Sequence, residues 1–274
     1  MNTSNDPEDP LVLRREKNNP YLTSLEMFVD RLQWDLYPDA WKSRTKLRRL
    51  KYGHHGEKAI ILCNGPSLLK TDFNELAKSC VFTFGLNKIN LLFEKEAFRP
   101  DCIVSVNPLV LEQNADFFNS TSIDLFLDAY ARKKKVVKSR DNVIYLHSAG
   151  ISRFAKDVSI SIAQGHTVTF VALQLAFHMG FDDVAIIGAD HTYTISGASN
   201  KKVNSESIDT SHFDPRYFTG DMKWNLPDLF ESEVWYGRAQ NMYKAHGKKI
   251  YNCTIGGKLE VFPRKTLGEF LSEK

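Results

Sequence analysis

Apolar residues follow two different rhythms along this chain. Near the start they recur at helical spacing: Leu25, Phe28, Val29, Leu32 and Leu36 mark one face of an amphipathic helix that Pro38 stops. A second, strongly basic helix follows through Trp41, Lys42, Arg44, Lys46, Leu47, Arg48, Arg49 and Leu50. From residue 57 onward, short apolar runs alternate with helix-length patterns. Strands are predicted at 59–63, 81–84, 102–106, 143–146, 184–187 and 249–251. Residues 168–179 read as an almost wholly apolar helix packed on a sheet, and residues 128–140 as a surface helix or lid. This alternation predicts an α/β fold with a Rossmann-like, mostly parallel sheet and helices on both faces. The predicted organisation is a helical extension over 1–56 and a nucleotide-binding catalytic domain over 57–274.

Composition narrows the picture. The chain has 274 residues, 42% of them hydrophobic and 25% charged, enough for one large globular domain with an attachment. No apolar run approaches the roughly 20 residues that span a bilayer, and the polar start Met1-Asn2-Thr3-Ser4-Asn5-Asp6 does not read as a signal peptide. A cytoplasmic location is expected. The basic helix can either meet anionic lipid at the inner membrane face or remain solvated. A formal net charge of +3 gives no ground for a nucleic-acid partner. Cys63, Cys80, Cys102 and Cys253 lie far apart without paired spacing, which reads as reduced, mostly buried thiols and no metal site.

The chemistry concentrates at polar turns that follow the predicted strands. After the first strand comes Asn64-Gly65-Pro66-Ser67, where a glycine permits close backbone approach, a proline suits the first helical position, and short polar side chains flank both. Such a turn can seat a phosphate at a helix N-terminus or simply cap the next helix. Four more turns match it: Gly85-Leu86-Asn87, Asn107-Pro108, Gln164-Gly165-His166-Thr167 and Gly188-Ala189-Asp190-His191. In a parallel sheet these converge on the edge formed by the carboxyl ends of the strands, where nucleotides bind. Asparagines there can hydrogen-bond ribose hydroxyls or base edges without adding charge. His54, His55 and His246 read as surface residues and His178 as a packed one.

The turn 64–67 with Leu68, together with Asn87, Val106-Asn107-Pro108, the glycine turn before the apolar helix, and Gly180-Phe181 leading to Ile187-Gly188-Ala189-Asp190, resembles two related groups. These are the bacterial sialyltransferases of glycosyltransferase family 42 and the 6-hydroxymethylpterin diphosphokinase-like proteins. His212-Phe213-Asp214-Pro215, Tyr217-Phe218, Trp224 and residues 251–263 are similar to a branch of the latter. The resemblance covers roughly residues 57–265.

The sialyltransferase resemblance implies a metal-independent transferase in surface-glycan synthesis that takes a CMP-linked sugar and a glycan acceptor and needs no cofactor. It implies that Asn64 and Ser67, with Gly65 and Pro66, hold phosphate and ribose. Asn87 and Asn107 would contact ribose and acceptor, while Gly165, His166, Thr167 and Gly188 complete the nucleotide site. His212 or His191 would remove the acceptor proton, with Asp190 as an orienting group. Tyr193, Arg216 or Tyr217 would stabilise the leaving phosphate. The diphosphokinase resemblance implies instead diphosphate transfer from ATP with Mg2+ held by Asp190 and either Asp101 or Asp214. A third reading is a nucleotide-binding module without catalysis, and self-association is compatible with all three.

Overall fold

The computed structural model describes residues 19–150, 153–191, 211–217 and 228–273, and the backbone of residues 202–204 and 223–225. The chain forms two compact units, residues 1–41 and 42–274. In the first, helix α1 (Pro20–Leu36) begins where the Asn19 side chain accepts the N–H groups of Tyr21 and Leu22, with Pro20 at the first helical position. It ends before Pro38, as the pattern requires.

Helix α2 (Pro38–Leu50) carries the basic run. From Lys42 on, it belongs to the α/β unit, which therefore begins earlier than residue 57. Leu47 is buried in the hydrophobic core, and the Ser43 hydroxyl accepts the Tyr145 N–H at 3.0 Å. Within this unit Lys46 of the run donates to the Asp141 carbonyl, and Lys51, just past the helix, pairs with Asp157 at 2.6 Å. Lys42, Arg48 and Arg49 stay exposed.

The α/β unit is built on an all-parallel, seven-stranded sheet in the order β5-β4-β3-β2-β1-β6-β9. The strands are β1 (Lys58–Leu62), β2 (Phe82–Leu86), β3 (Cys102–Ser105), β4 (Asp124–Asp128), β5 (Val143–Leu146), β6 (Asp183–Ile187) and β9 (Lys249–Asn252). Two short strands, β7 (Lys202–Asn204) and β8 (Lys223–Asn225), form a separate antiparallel pair. The connecting helices are α3 (Phe73–Ser79), α4 (Pro108–Gln113), α5 (Ala115–Ser120), α6 (Tyr130–Lys133), α7 (Val168–Met179), α8 (Leu229–Ala245) and α9 (Leu267–Ser272). Ala59 to Leu62 of β1 are completely buried on both faces, which explains why this strand reads as a continuous apolar run rather than an alternation. No helix among the described residues is long and apolar enough to cross a membrane.

Helix α7 is buried along nearly its whole length. Thr167 caps its start, and Gly180 ends it at φ 104°, where a side chain would strike the Tyr52 backbone at 2.9 Å. Its one buried amide, Gln174, accepts the N–H groups of Ala155 and Ala163 and donates to the carbonyls of Ala163 and Phe170. The loop before α7 is thereby tied into the core.

Several expectations change. Of the surface helix or lid expected over 128–140, the structure forms a short helix, Tyr130–Lys133, after Asp128 ends β4; the buried Asp128 carboxylate accepts the Tyr130 N–H, the Ser148 hydroxyl and the Gln164 side-chain amide. Burial pushes that carboxyl above the usual range while these donors oppose the shift. The element after Asn64-Gly65 is a five-residue 3-10 helix (Pro66–Lys70), not an α-helix. His54 is half-buried and stacks on Phe181 with ring centroids 4.5 Å apart. Cys63, Cys102 and Cys253 are buried free thiols, whereas Cys80 is exposed.

His178 is packed, as its place in the apolar helix requires. Its Nε2 lies 2.8 Å from the Leu47 carbonyl and its Nδ1 3.7 Å from Asp157, which Lys51 and Ser159 also hold. Burial keeps the imidazole pKa below its ordinary value. The unfolded chain therefore binds more protons than the folded one once the pH falls below about 6.5, so stability must drop as pH is lowered through that point. Urea unfolding between pH 7.5 and 5.5 should show this drop in the native chain and a smaller one in His178→Gln, whose amide can still donate to Leu47. Equal pH dependence in the two proteins would contradict the assignment.

Candidate active site

The winding of the sheet reverses at β1. The chain adds β2 to β5 outward on one side, then returns to place β6 on the other, so the crevice outside the carboxyl ends of β1 and β6 is a topological switch point. The two turns that meet there touch backbone to backbone. The Gly65 N–H donates to the Gly188 carbonyl at 2.9 Å, and the Cys63 N–H to the Ile187 carbonyl at 2.9 Å. A side chain at Gly65 would lie 2.6 Å from the Gly188 oxygen, and one at Gly188 would lie 2.7 Å from the Cys63 oxygen. Gly188 also has φ 70°. Both glycines are therefore required by the crossing itself.

Asp190 folds back over this crossing. Its Oδ2 accepts the Ser67 N–H at 3.1 Å and the Ser67 hydroxyl at 2.7 Å, and a methyl at Gly65 would meet that oxygen at 2.0 Å. The start of the 3-10 helix, expected to seat a phosphate, thus faces the chain's own carboxylate. The Asp190 carbonyl accepts the Lys258 N–H, and the Ala189 N–H donates to the Thr254 hydroxyl, so the 254–258 loop braces the same turn.

Asn64 sits beside this crossing and is 8% exposed. Its Nδ2 donates to the Leu86 carbonyl at the end of β2, at 2.9 Å, and to the Tyr217 hydroxyl at 3.2 Å. The Leu86 carbonyl, which can only accept, fixes which end of the carboxamide is nitrogen. Its Oδ1 is buried and has no hydrogen-bond partner. An acceptor removed from water and left unpaired costs about 1–3 kcal/mol, so this atom marks a place where a donor belongs.

Residues 211–217 cross the mouth. The Phe213 N–H donates to the Asn64 carbonyl at 2.8 Å, and the buried Lys88 ammonium donates to the Tyr217 carbonyl at 2.7 Å and to Gln113 at 2.8 Å. The His212 ring lies flat on Tyr217, with centroids 3.9 Å apart and planes within 1°. Arg216, expected near a leaving phosphate, instead grips Asp214 through two nitrogens at 3.0 and 3.1 Å and reaches Glu94 at 2.8 Å. Lys95 adds a further contact at 3.1 Å to Asp214, whose carboxyl these cations, Arg216 first, hold well below the usual range. Tyr193 lies outside the described residues.

The other expected residues occupy the same carboxyl edge at increasing distance from β1. Asn87, at φ 50°, accepts the Ser105 hydroxyl at 3.2 Å and follows β2; Asn107 caps α4 through the Leu109 N–H and follows β3. With strands about 4.8 Å apart, they stand about one and two strand spacings from Asn64. Gly165 and His166 lead into α7 with φ 56° and 59°; His166 is exposed. Thr167 touches the Tyr236 hydroxyl at 3.2 Å. Asp101 lies at the opposite edge, before β3, where Thr83 binds it.

Helix α8 supplies what the sequence reading missed. Its Glu233 accepts from His191 Nε2 at 2.9 Å, while His191 itself adopts φ 53° and is only 10% exposed at its side chain. Non-glycine residues in this left-handed region are uncommon and cluster at functional sites. Tyr236, one turn on, is buried, which pushes its hydroxyl up to about 12. Burial likewise pushes the Cys63 thiol up to about 12, which removes it as a nucleophile at neutral pH. The signal for α8 was present in the Asp228 cap and the spacing of Trp235, Ala239 and Tyr243.

Comparison with known proteins gives two similarities. A solved structure of the MAf glycosyltransferase from Magnetospirillum magneticum AMB-1 superposes with a TM-score of 0.49 at 13% sequence identity, covering 82% of this chain and 38% of that chain. This chain therefore spans well under half the length of that protein. No curated protein matches the sequence significantly. The family model described as 6-hydroxymethylpterin diphosphokinase MptE-like matches residues 38–196, more than half of the chain, including β1 to β6 and the turns that cross at the switch point. On that match, the chain belongs to the 6-hydroxymethylpterin diphosphokinase MptE-like family.

Proposed function

We propose that this chain is a transferase that binds a nucleotide-activated sugar, with CMP as the favoured nucleotide, at the mouth between β1 and β6 and passes the sugar to a hydroxyl of a glycan acceptor. The observation that carries the reading is the buried, unpartnered Oδ1 of Asn64. It accepts hydrogen bonds only, so its ligand partner is a ribose hydroxyl or an exocyclic base amine and not an ionised phosphate oxygen. The nucleoside end of the donor lies against Asn64. Its phosphate lies away from the Ser67 donors, which Asp190 occupies.

His191 is the base in this reading. With Nε2 donating to Glu233, its Nδ1 carries the lone pair. As the acceptor oxygen forms its bond to the anomeric carbon, the bond from that carbon to the phosphate oxygen breaks. The acceptor proton passes to Nδ1, and the nucleotide leaves with the bonding electrons. Glu233 stabilises the imidazolium that results. His212, lying flat on Tyr217, serves in this account as a wall of the mouth together with the tyrosine that holds Asn64.

The family description supports a second reading, diphosphate transfer from ATP to the hydroxymethyl group of a pterin. That chemistry calls for carboxylates that share Mg2+ with the phosphates. Asp190 stands at the mouth, but Asp101 is at the opposite edge of the sheet and Asp214 is tied to Arg216 and Lys95. The companions expected from the sequence do not fit the group, and this favours the sugar-transfer reading.

Calorimetry with CMP, UDP and ATP, each with and without Mg2+, separates the two. The expected result is CMP binding that does not need the metal, weakened roughly 10- to 100-fold in Asn64→Leu, as loss of a buried acceptor's partner implies. ATP binding that appears only with Mg2+, with no binding of CMP, would establish the second reading instead. Once a donor and acceptor are in hand, His191→Ala should lower kcat by about 100- to 10,000-fold with CMP affinity unchanged, and Glu233→Gln by less. Full turnover in His191→Ala would remove it from the mechanism, and CMP binding without any transfer would mark a binding module.

A further inference from the structure

Helix α1 turns an apolar seam to solvent. Leu22, Leu25, Val29, Leu32 and Leu36 recur at spacings of three and four, the a and d positions of two successive heptads, and every one is exposed, Leu25 at 57% and Leu36 at 67%. Tyr21 and Phe28, also exposed, widen the seam along one flank. The helix has one buried residue, Trp34, and it lies on the opposite side from the seam.

We infer that this face pairs with the same face of a second copy of the chain, making the protein a dimer through α1. Three features favour that occupant. Seven large apolar side chains, Tyr21, Leu22, Leu25, Phe28, Val29, Leu32 and Leu36, stand 41–84% exposed along one side, a continuous apolar strip of the kind that forms the core of a dimer interface. The helix is already capped by Asn19 and started by Pro20, so two heptads can associate without also having to nucleate the helix. The charges suit a like partner better than anionic lipid. Glu26, Asp30 and Asp35 outnumber Arg31 on this helix, and the residues flanking the seam are Tyr21, Glu26, Phe28, Gln33 and Asp35, the last paired with Arg31 of its own helix at 2.8 Å. In a two-fold parallel pairing Tyr21 faces Glu26 and Phe28 faces Gln33, so no like charges oppose each other.

The test is sedimentation equilibrium of the full chain beside the double variant Leu25→Glu/Leu32→Glu. Both positions are exposed within one chain, so the variant should keep the native far-UV spectrum and a single cooperative thermal transition. The native chain should sediment as a dimer, and the variant should dissociate at least 100-fold more readily. A monomeric native chain, or a dimer that the variant weakens less than tenfold, overturns the inference. So does a native monomer that floats with phosphatidylserine vesicles, because the face would then belong to a membrane. The result is independent of the nucleotide reading, since no residue of the mouth is changed.

Discussion

The crossing of two backbone turns at the switch point determines everything built around it. Gly65 and Gly188 approach until their peptide groups hydrogen-bond, and neither position can carry a side chain without moving the other turn. That contact fixes the distance between the ends of β1 and β6. It also sets Asp190 over the Ser67 donors at 2.7 and 3.1 Å. A carboxylate in that place satisfies two donors that a nucleotide phosphate would otherwise claim, so the protein settles with its own side chain what a phosphate-binding turn leaves to the ligand.

What remains unsatisfied is then informative. Asn64 is locked from both directions, by the Leu86 carbonyl and by the Tyr217 hydroxyl, and the segment carrying Tyr217 is in turn held by Lys88 and the Asn64 carbonyl. Rotation of the carboxamide would place its oxygen against the Leu86 carbonyl, so the unpaired Oδ1 is a consequence of the surrounding structure and not a free rotor. A buried acceptor kept in this state selects for donors. The same packing that holds Asn64 also stacks His212 on Tyr217 and leaves His191, anchored to Glu233, beside the crossing.

The parallel sheet was legible because burial on both faces writes continuous apolar runs, as at Ile60, Ile61 and Leu62. The helix 168–179 was legible for the same reason. Strand β4 was not: its apolar centre is only Leu125, Phe126 and Leu127, with aspartates at both ends, and the second of these is buried by hydrogen bonds that pattern cannot show. The convergence of the glycine and asparagine turns on one edge followed from strand direction alone. The engagement of Asp190 with Ser67 could not be read, because it joins residues 123 positions apart through a side chain whose partner depends on the fold. The pairing of Arg216 with Asp214 could not be read for a related reason, since a guanidinium that suits phosphate suits the neighbouring Asp214 equally well.

A structure of the chain with CMP bound tests the central claim most directly. The account predicts a ribose hydroxyl or the cytosine amine within hydrogen-bond distance of Asn64 Oδ1, with the contact between Asp190 and Ser67 kept. A phosphate seated on Ser67 with Asp190 displaced, or a nucleotide bound away from the mouth between β1 and β6, would contradict it.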